Sequence, residues 1–257
     1  MEQESEARVL KVDKKADWGN IYGQSSPVAY FETMTPFDYG HYHDRFLEII
    51  QNTLKANDYV SESKCIQVFE FGASYGNTTL GYRAGLNWEE TGQVWHDDLK
   101  PIVPIHNMHV TACDLSLQAL EYGLGRGIYD RIVQQDFNTI LKPEIIAALD
   151  SSDMLFCIMI SSYIKTHSLQ RIVFNFLGDR SVKKIFAYND TCAFDSRNLS
   201  PECLFAGVKN WTTATYFTKH RNFTDEESLR QHGCRESWSY TYVVTFEPII
   251  VDNANVH

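Results

Sequence analysis

The chain has 257 residues, with apolar and charged fractions of 44% and 22% and a formal net charge of −10. That is enough for one large α/β domain, or one domain with an added cap, and an acidic balance without a basic stripe argues against a nucleic-acid partner. No run approaches the ~20 apolar residues of a membrane span, and the acidic start Met1-Glu2-Gln3-Glu4-Ser5-Glu6 reads as a frayed tail and not as a secretory leader.

The first forty residues are irregular and aromatic, with Trp18, Tyr22, Tyr30, Phe31, Phe37, Tyr39 and Tyr42 set among glycines and prolines. A helix over about 42–54 follows, its apolar face carried by Phe46, Leu47, Ile50 and Leu54. Residues 65–71 read as a strand that Gly72 breaks, and a helix begins near Asn77. Residues 87–107, with Trp88, Trp95 and two prolines, read as an insertion.

A second strand runs from Met108 to Asp114, and Ser116 caps the helix after it, which leaves past Gly125 and Gly127. Ile132-Val133 is a short third strand. A helix through Ile145, Ile146 and Leu149 leads to a continuous apolar run over 154–160, expected to be a strand buried on both faces. After a helix through Ile172, Phe176 and Leu177 comes a fifth strand over 182–188. Trp211 to Phe217 and Tyr240 to Phe246 form a final pair, separated by Thr224-Asp225-Glu226-Glu227, a capping-box pattern.

Strand and helix thus alternate, which predicts a doubly wound, mostly parallel sheet of about seven strands with an antiparallel final strand. Ligands bind such sheets at the carboxyl ends of the strands. Residues 1–60 are assigned to an N-terminal helical and aromatic lid, and 61–257 to the sheet domain. The six cysteines are scattered. Cys65, Cys113 and Cys157 lie in or beside buried strands, which suits a reducing cytoplasm. No C-x-x-C pair or ligand cluster suggests a metal.

Three segments carry chemistry. In Glu70-Phe71-Gly72-Ala73-Ser74-Tyr75-Gly76, Gly72 permits a tight turn and lets a ligand lie against backbone, while Gly76 opens a helix whose free N–H groups favour an anionic group. A nicotinamide fingerprint would need glycine where Ser74 stands. Asp114, at the end of the second strand, can accept hydrogen bonds from ribose hydroxyls, though it lies beyond the usual ~20-residue spacing, an excess attributed to residues 87–107. Asp136, beside Phe137, marks the third strand end.

These segments resemble class I S-adenosylmethionine-dependent methyltransferases of the small-molecule type, over roughly residues 64–190. The resemblance implies a Rossmann-like fold with S-adenosylmethionine as cofactor. It implies that Glu70, Gly72, Ala73 and Gly76 surround the methionine part and that Asp114 binds the ribose. Asp136 and Phe137 would take the adenine, with Leu115 and Ile158 as further cofactor contacts. Tyr22 and Tyr30, with Phe31, are expected to close over the sulfonium, since aromatic faces attract cations.

Substrate contacts are expected at Phe37, Tyr39, Met159, Tyr163 and His167, with Ser161 and Ser162 beside them; His41 and His43 are the candidate general bases. The N/D-P-P-Y/F motif of nucleic-acid and protein amino-methylating enzymes is absent. The reading is methyl transfer to an O, N or C nucleophile of a small metabolite by a monomer or homodimer, without nucleic-acid or membrane partners. Two rivals stand beside it. Gly72-Ala73-Ser74-Tyr75-Gly76 also spells G-x-S-x-G, an α/β-hydrolase elbow that Asp190 and His220 or His232 would complete. A non-catalytic cofactor-binding protein of the same fold is the other.

Overall fold

The computed structural model describes residues 19–57, 64–160, 163–178, 181–191, 199–230 and 233–249. The acidic start, Trp18, Ser161, Ser162, Cys192 and His232 lie outside the described residues.

Seven strands form one sheet in the order β3-β2-β1-β4-β5-β7-β6. They are β1 (Ile66–Phe71), β2 (Met108–Asp114), β3 (Arg131–Gln134), β4 (Met154–Cys157), β5 (Lys184–Thr191), β6 (Trp211–Asn222) and β7 (Glu236–Phe246). Pairs β1–β2, β1–β4, β2–β3 and β4–β5 are parallel, and β7 runs antiparallel to both β5 and β6. The chain order reverses between β1 and β4, where a doubly wound sheet opens a crevice for ligands. The sheet is Rossmann-like, as the alternation of elements predicted.

Alternation along the strands divides the core in two. Val68, Val110, Ala112, Phe156, Ala187 and Val243 face one layer, while Phe69, Phe71, Cys113, Leu155, Phe186 and Val244 face the other. The first layer is covered by α1 (Gly19–Tyr22), α2 (Val28–Met34), α3 (Tyr39–Ala56), α4 (Asn77–Ala84), α5 (Trp88–His96) and α6 (Leu117–Gly125). The second is covered by α7 (Pro143–Ser151), α8 (Thr166–Phe176) and the one-turn α9 (Pro201–Leu204). A short α10 (Asp225–Arg230) links β6 to β7.

Tyr30, Met34, Tyr39, Tyr42 and Phe46 are buried in the same cluster as Val68 and Val110. The aromatic lid therefore shares the core of the sheet's first face. The insertion is structured too: α5 begins in a complete capping box between Asn87 and Glu90, and its Trp88 and Trp95 rings pack edge-on against Tyr30.

Several boundaries differ from expectation. Helix α3 begins at Tyr39, where the left-handed Asp38 (φ 62°) ends a 3-10 turn over Thr35–Phe37. β4 stops at Cys157 instead of reaching Ile160, because Met159 adopts a φ of 62° and its N–H turns to the Asn189 side chain. The fifth strand begins later and extends to Thr191, and Cys65 is exposed before β1 begins. The Thr224–Glu227 capping box forms as predicted, with reciprocal bonds of 3.0 and 3.1 Å.

Candidate functional site

The glycine loop leaves β1 at the crevice. Gly72 has φ 69°, and a Cβ there would lie 2.1 Å from Ile160 Cγ2, so only glycine fits. The Gly72 and Ala73 N–H groups donate to the Cys113 carbonyl at 2.8 and 3.3 Å, which ties the loop to β2. Ser74 N–H donates to Asp114 Oδ2 and Ser116 N–H to Asp114 Oδ1, each at 2.9 Å. One carboxylate thereby locks the turns after both strands. Its pKa is raised by burial, against the pull of those backbone donors.

Tyrosines complete the frame. The Tyr129 hydroxyl lies 2.7 and 3.0 Å from the carbonyls of Ala73 and Ser74. The Tyr75 hydroxyl lies 2.9 and 2.7 Å from the Ile21 and Gln24 carbonyls, and Ser116 Oγ donates to Tyr22 O at 2.6 Å. The loop thus holds the lid, and β3's approach segment holds the loop. None of these cross-connections was legible in the sequence.

Glu70 is buried beneath the loop. Its Oε2 accepts from Thr79 at 2.5 Å and from Tyr82 at 2.8 Å. Burial pushes its pKa up to about 7; those two hydrogen bonds oppose the shift and the Asp114 charge adds to it. Beside Asp114, the Leu115 side chain is 59% exposed, although large and apolar. Asp136 is exposed one strand over, with Oδ1 accepting from Asn138 N–H at 2.9 Å, and Phe137 is buried edge-on to Phe71. Ile158 is buried just past β4. The sheet thus brings Gly72, Ala73, Gly76, Asp114, Leu115, Asp136, Phe137 and Ile158 to adjoining strand ends, with Glu70 just below.

The lid aromatics converge there as well. Tyr22 is half-buried; burial raises its pKa, and Tyr39, Tyr163 and Asp114 are close enough to add to the shift. Tyr30 is fully packed among Tyr22, Tyr39, Tyr75 and the two tryptophans, so its ring belongs to the core. Tyr39 OH accepts from Asn77 Nδ2 at 3.4 Å, which links the lid to the first residue of α4. Tyr163 is 56% exposed and lies in the field of Arg221 and Glu227. Phe37 is half-buried in its 3-10 turn, Met159 is half-buried, and His167 is exposed in the first turn of α8.

The two candidate bases sit differently. His43 is buried, with Nε2 2.9 Å from the Asn77 carbonyl and Nδ1 3.1 Å from Asp44 Oδ1. Both nitrogens face oxygens, and the ring braces α3 against α4. His41 is exposed on α3, and the sequence could not separate it from its neighbour's face.

The hydrolase arrangement is not assembled among the described residues. Ser74 takes the positive φ (50°) of an elbow, but its buried hydroxyl has no hydrogen-bond partner. His220 Nδ1 faces Ser237 Oγ at 3.2 Å instead. Sequence reasoning missed Asn77, Asn189 and the buried bidentate pair between Arg221 and Glu227, with bonds of 2.8 and 2.6 Å.

No protein-family model and no curated protein sequence matches this chain. Solved structures that it is similar to include magnesium protoporphyrin IX methyltransferase from Synechocystis PCC 6803 with bound SAM, at 11% identity over 79% of each chain and TM-score 0.45. Another is TehB from Haemophilus influenzae, at 11% identity over 77% of this chain and 62% of that one, TM-score 0.49. A third is phosphoethanolamine N-methyltransferase 1 from Haemonchus contortus, at 13% identity over 96% of this chain and 51% of that one, TM-score 0.47. The chain therefore spans less than two thirds of the latter two. The fold class rests on the sheet itself, a Rossmann-like α/β order with the glycine loop at its switch point.

Proposed function

We propose that this chain is an S-adenosylmethionine-dependent methyltransferase acting on a small molecule. The observation that carries the reading is the joint between Asp114 and the glycine loop, at neighbouring strand ends and flanked by an exposed leucine and a second carboxylate. An exposed apolar side chain beside one acid, with a second acid at the adjoining strand end, suits an adenosine, whose ring is apolar in face and whose ribose hydroxyls and amine donate hydrogen bonds. The Cβ-free turn at Gly72 suits a ligand that lies along backbone.

In this reading Glu70, Gly72, Ala73 and Gly76 hold the methionine part. Asp114 holds the ribose, and Leu115, Asp136, Phe137 and Ile158 hold the adenine. The cofactor supplies an electrophilic methyl group on a sulfonium; Tyr22 stands beside Asp114 to shield it from water, and Tyr30 supports Tyr22. Asp114 keeps spare lone pairs, because each oxygen accepts one backbone bond. Glu70, part-protonated at neutrality because burial raises its pKa to about 7, would ionise against an arriving ammonium, so binding releases protons.

Phe37, Tyr39, Met159, Tyr163 and His167 remain the proposed substrate side. Two free cysteines buried as apolar side chains, Cys113 and Cys157, agree with a reducing cytoplasmic setting. Among the described residues no helix is long and apolar enough to cross a membrane, and no group of side chains suits a metal ion. The proposed protein works as a monomer or homodimer, without nucleic acid.

Titration calorimetry with S-adenosylhomocysteine tests this directly. Saturable heat is expected, and Asp114→Ala should weaken the affinity by about 1.5–3 kcal/mol, the scale of a hydrogen bond to a charged group. Absence of heat from the unaltered chain overturns the reading, whereas an unchanged affinity in the variant removes Asp114 from the site.

A further inference from the structure

The first face of the sheet changes character along its length. Toward the amino ends of β4 and β5 it presents Met154, Phe156, Ile185 and Ala187, with Val243 opposite on β7. Toward the carboxyl end of β5, the same face presents Asn189, and the antiparallel β7 presents Thr241, Ser239 and Ser237. All four are essentially inaccessible to solvent. Period-2 alternation puts Ser237, Ser239 and Thr241 in one row with Val243, so a buried row turns from apolar to hydroxylated at the end of the sheet where ligands bind.

Facing this row are Tyr42 from α3 and His220 from β6, their rings edge-on at 5.3 Å, with Tyr39 5.7 Å from the same histidine. Three polar atoms here have no hydrogen-bond partner although buried: His220 Nε2, Tyr42 OH and Thr241 Oγ1. His220 is only 4% exposed, and Tyr42 and Thr241 less. The Thr241 hydroxyl lies close enough to Tyr42 to pull its pKa down against the rise from burial, without a well-formed bond between them. An unpartnered buried polar atom costs about 1–3 kcal/mol, so three together signal a missing partner.

The row joins the rest of the site at both ends. Asn189 Nδ2 donates to Ser239 Oγ at 3.1 Å, and its carbonyl oxygen accepts from the Met159 N–H at the end of β4. Tyr39 reaches Asn77, the first residue after the glycine loop.

We propose that His220, Tyr42 and Thr241 form the binding site for the methyl acceptor, a neutral hydroxyl-bearing small molecule whose O–H donates to His220 Nε2. This rests on the methyltransferase reading and names the substrate class of that site. With Nδ1–H donating to Ser237 Oγ, Nε2 presents its lone pair. Burial and the Arg221 charge hold the imidazole neutral by pushing its pKa well below the ordinary value. The Tyr42 and Thr241 hydroxyls donate to the ligand oxygen, and Arg221, paired with Glu227, leaves no net charge to call for an ionic ligand.

Diethyl pyrocarbonate, which attacks accessible unprotonated imidazole nitrogen, is the probe, with peptide mass spectrometry as the readout on the full chain. The expected result is carbethoxylation of His220 more slowly than of exposed His41, since its Nε2 is buried, but well ahead of the equally buried His43, whose two nitrogens each face an oxygen. A His220 as inert as His43 overturns the proposed site. Tyr42→Phe provides an independent measure: Tm should hold or rise because no partner is lost, and a fall of about 2–4 °C would show that the hydroxyl is already bonded. Calorimetry with S-adenosylhomocysteine separates the two readings. Heat with an inert His220 removes only the acceptor site; a reactive His220 without heat leaves a ligand site but overturns its assignment to a methyl acceptor.

Discussion

The two ends of the ligand crevice are built on opposite principles. At the glycine loop, the buried Ser74 hydroxyl apart, the framework bonds are already made: Asp114 takes two backbone amides, Tyr129 two carbonyls, and Tyr75 and Ser116 hold the lid. At the β5–β7–β6 end, His220, Tyr42 and Thr241 lack partners. The first end is preorganised, because its hydrogen bonds exist before any ligand arrives. The second has polar capacity left for a guest. Rigid frame and open valence are separated across one sheet, and Asn189 and Met159 join them.

The contrast is open to attack at the frame, where the largest effect is expected at Gly72. A side chain there meets both a positive φ and Ile160, so Gly72→Ala should cost about 2–4 kcal/mol in denaturant titrations, combining the left-handed penalty with overpacking. Adding Ile160→Ala should recover the overpacking share only. Full recovery would mean that backbone strain contributes nothing.

Next comes Glu70. Its folded pKa near 7 lies above the ordinary 4.5, so the native chain binds more protons than the unfolded one between those values. That stability is fully present below pH ~4.5 and is lost as pH rises through about 7, on the order of 3 kcal/mol in all. Glu70→Gln should flatten stability against pH over that window; an unchanged slope would assign it to other groups.

Tyr129→Phe tests the latch on the loop carbonyls. A loss of about 0.5–1.5 kcal/mol in stability is expected, together with weaker S-adenosylhomocysteine binding in calorimetry. Unaltered affinity would mean that the loop keeps its shape without the latch. The smallest effect belongs to Ser74→Ala, which removes a buried, unbonded hydroxyl: stability should stay within roughly 0.5 kcal/mol or rise. Loss of an esterase activity in that variant would revive the elbow and reverse the contrast.

The strand alternation, the glycine turn, and acids at three neighbouring strand ends were legible in the sequence because they are local. Periodicity of two or 3.6, a glycine where φ must be positive, and a cap such as Ser116 each depend on a few adjacent residues. The same locality misled over 154–160, where an apolar run continued but the strand did not, since only the distant Asn189 turns Met159 aside. Nor does it say that His43 packs against Asn77 while His41, two residues away, is exposed, because the partners of that helix lie elsewhere in the chain.

The row Ser237, Ser239 and Thr241 was only partly legible, since the last strand was expected from Tyr240 and begins at Glu236, and nothing local says that it is buried or that Tyr42 faces it. Sequence determined which backbone turns were possible and which strands would form. Tertiary structure alone decided which polar atoms meet a partner and which are left without one. Hydrogen-bond satisfaction is a property of neighbours in space, and those neighbours come from segments as far apart as Tyr42 and Thr241.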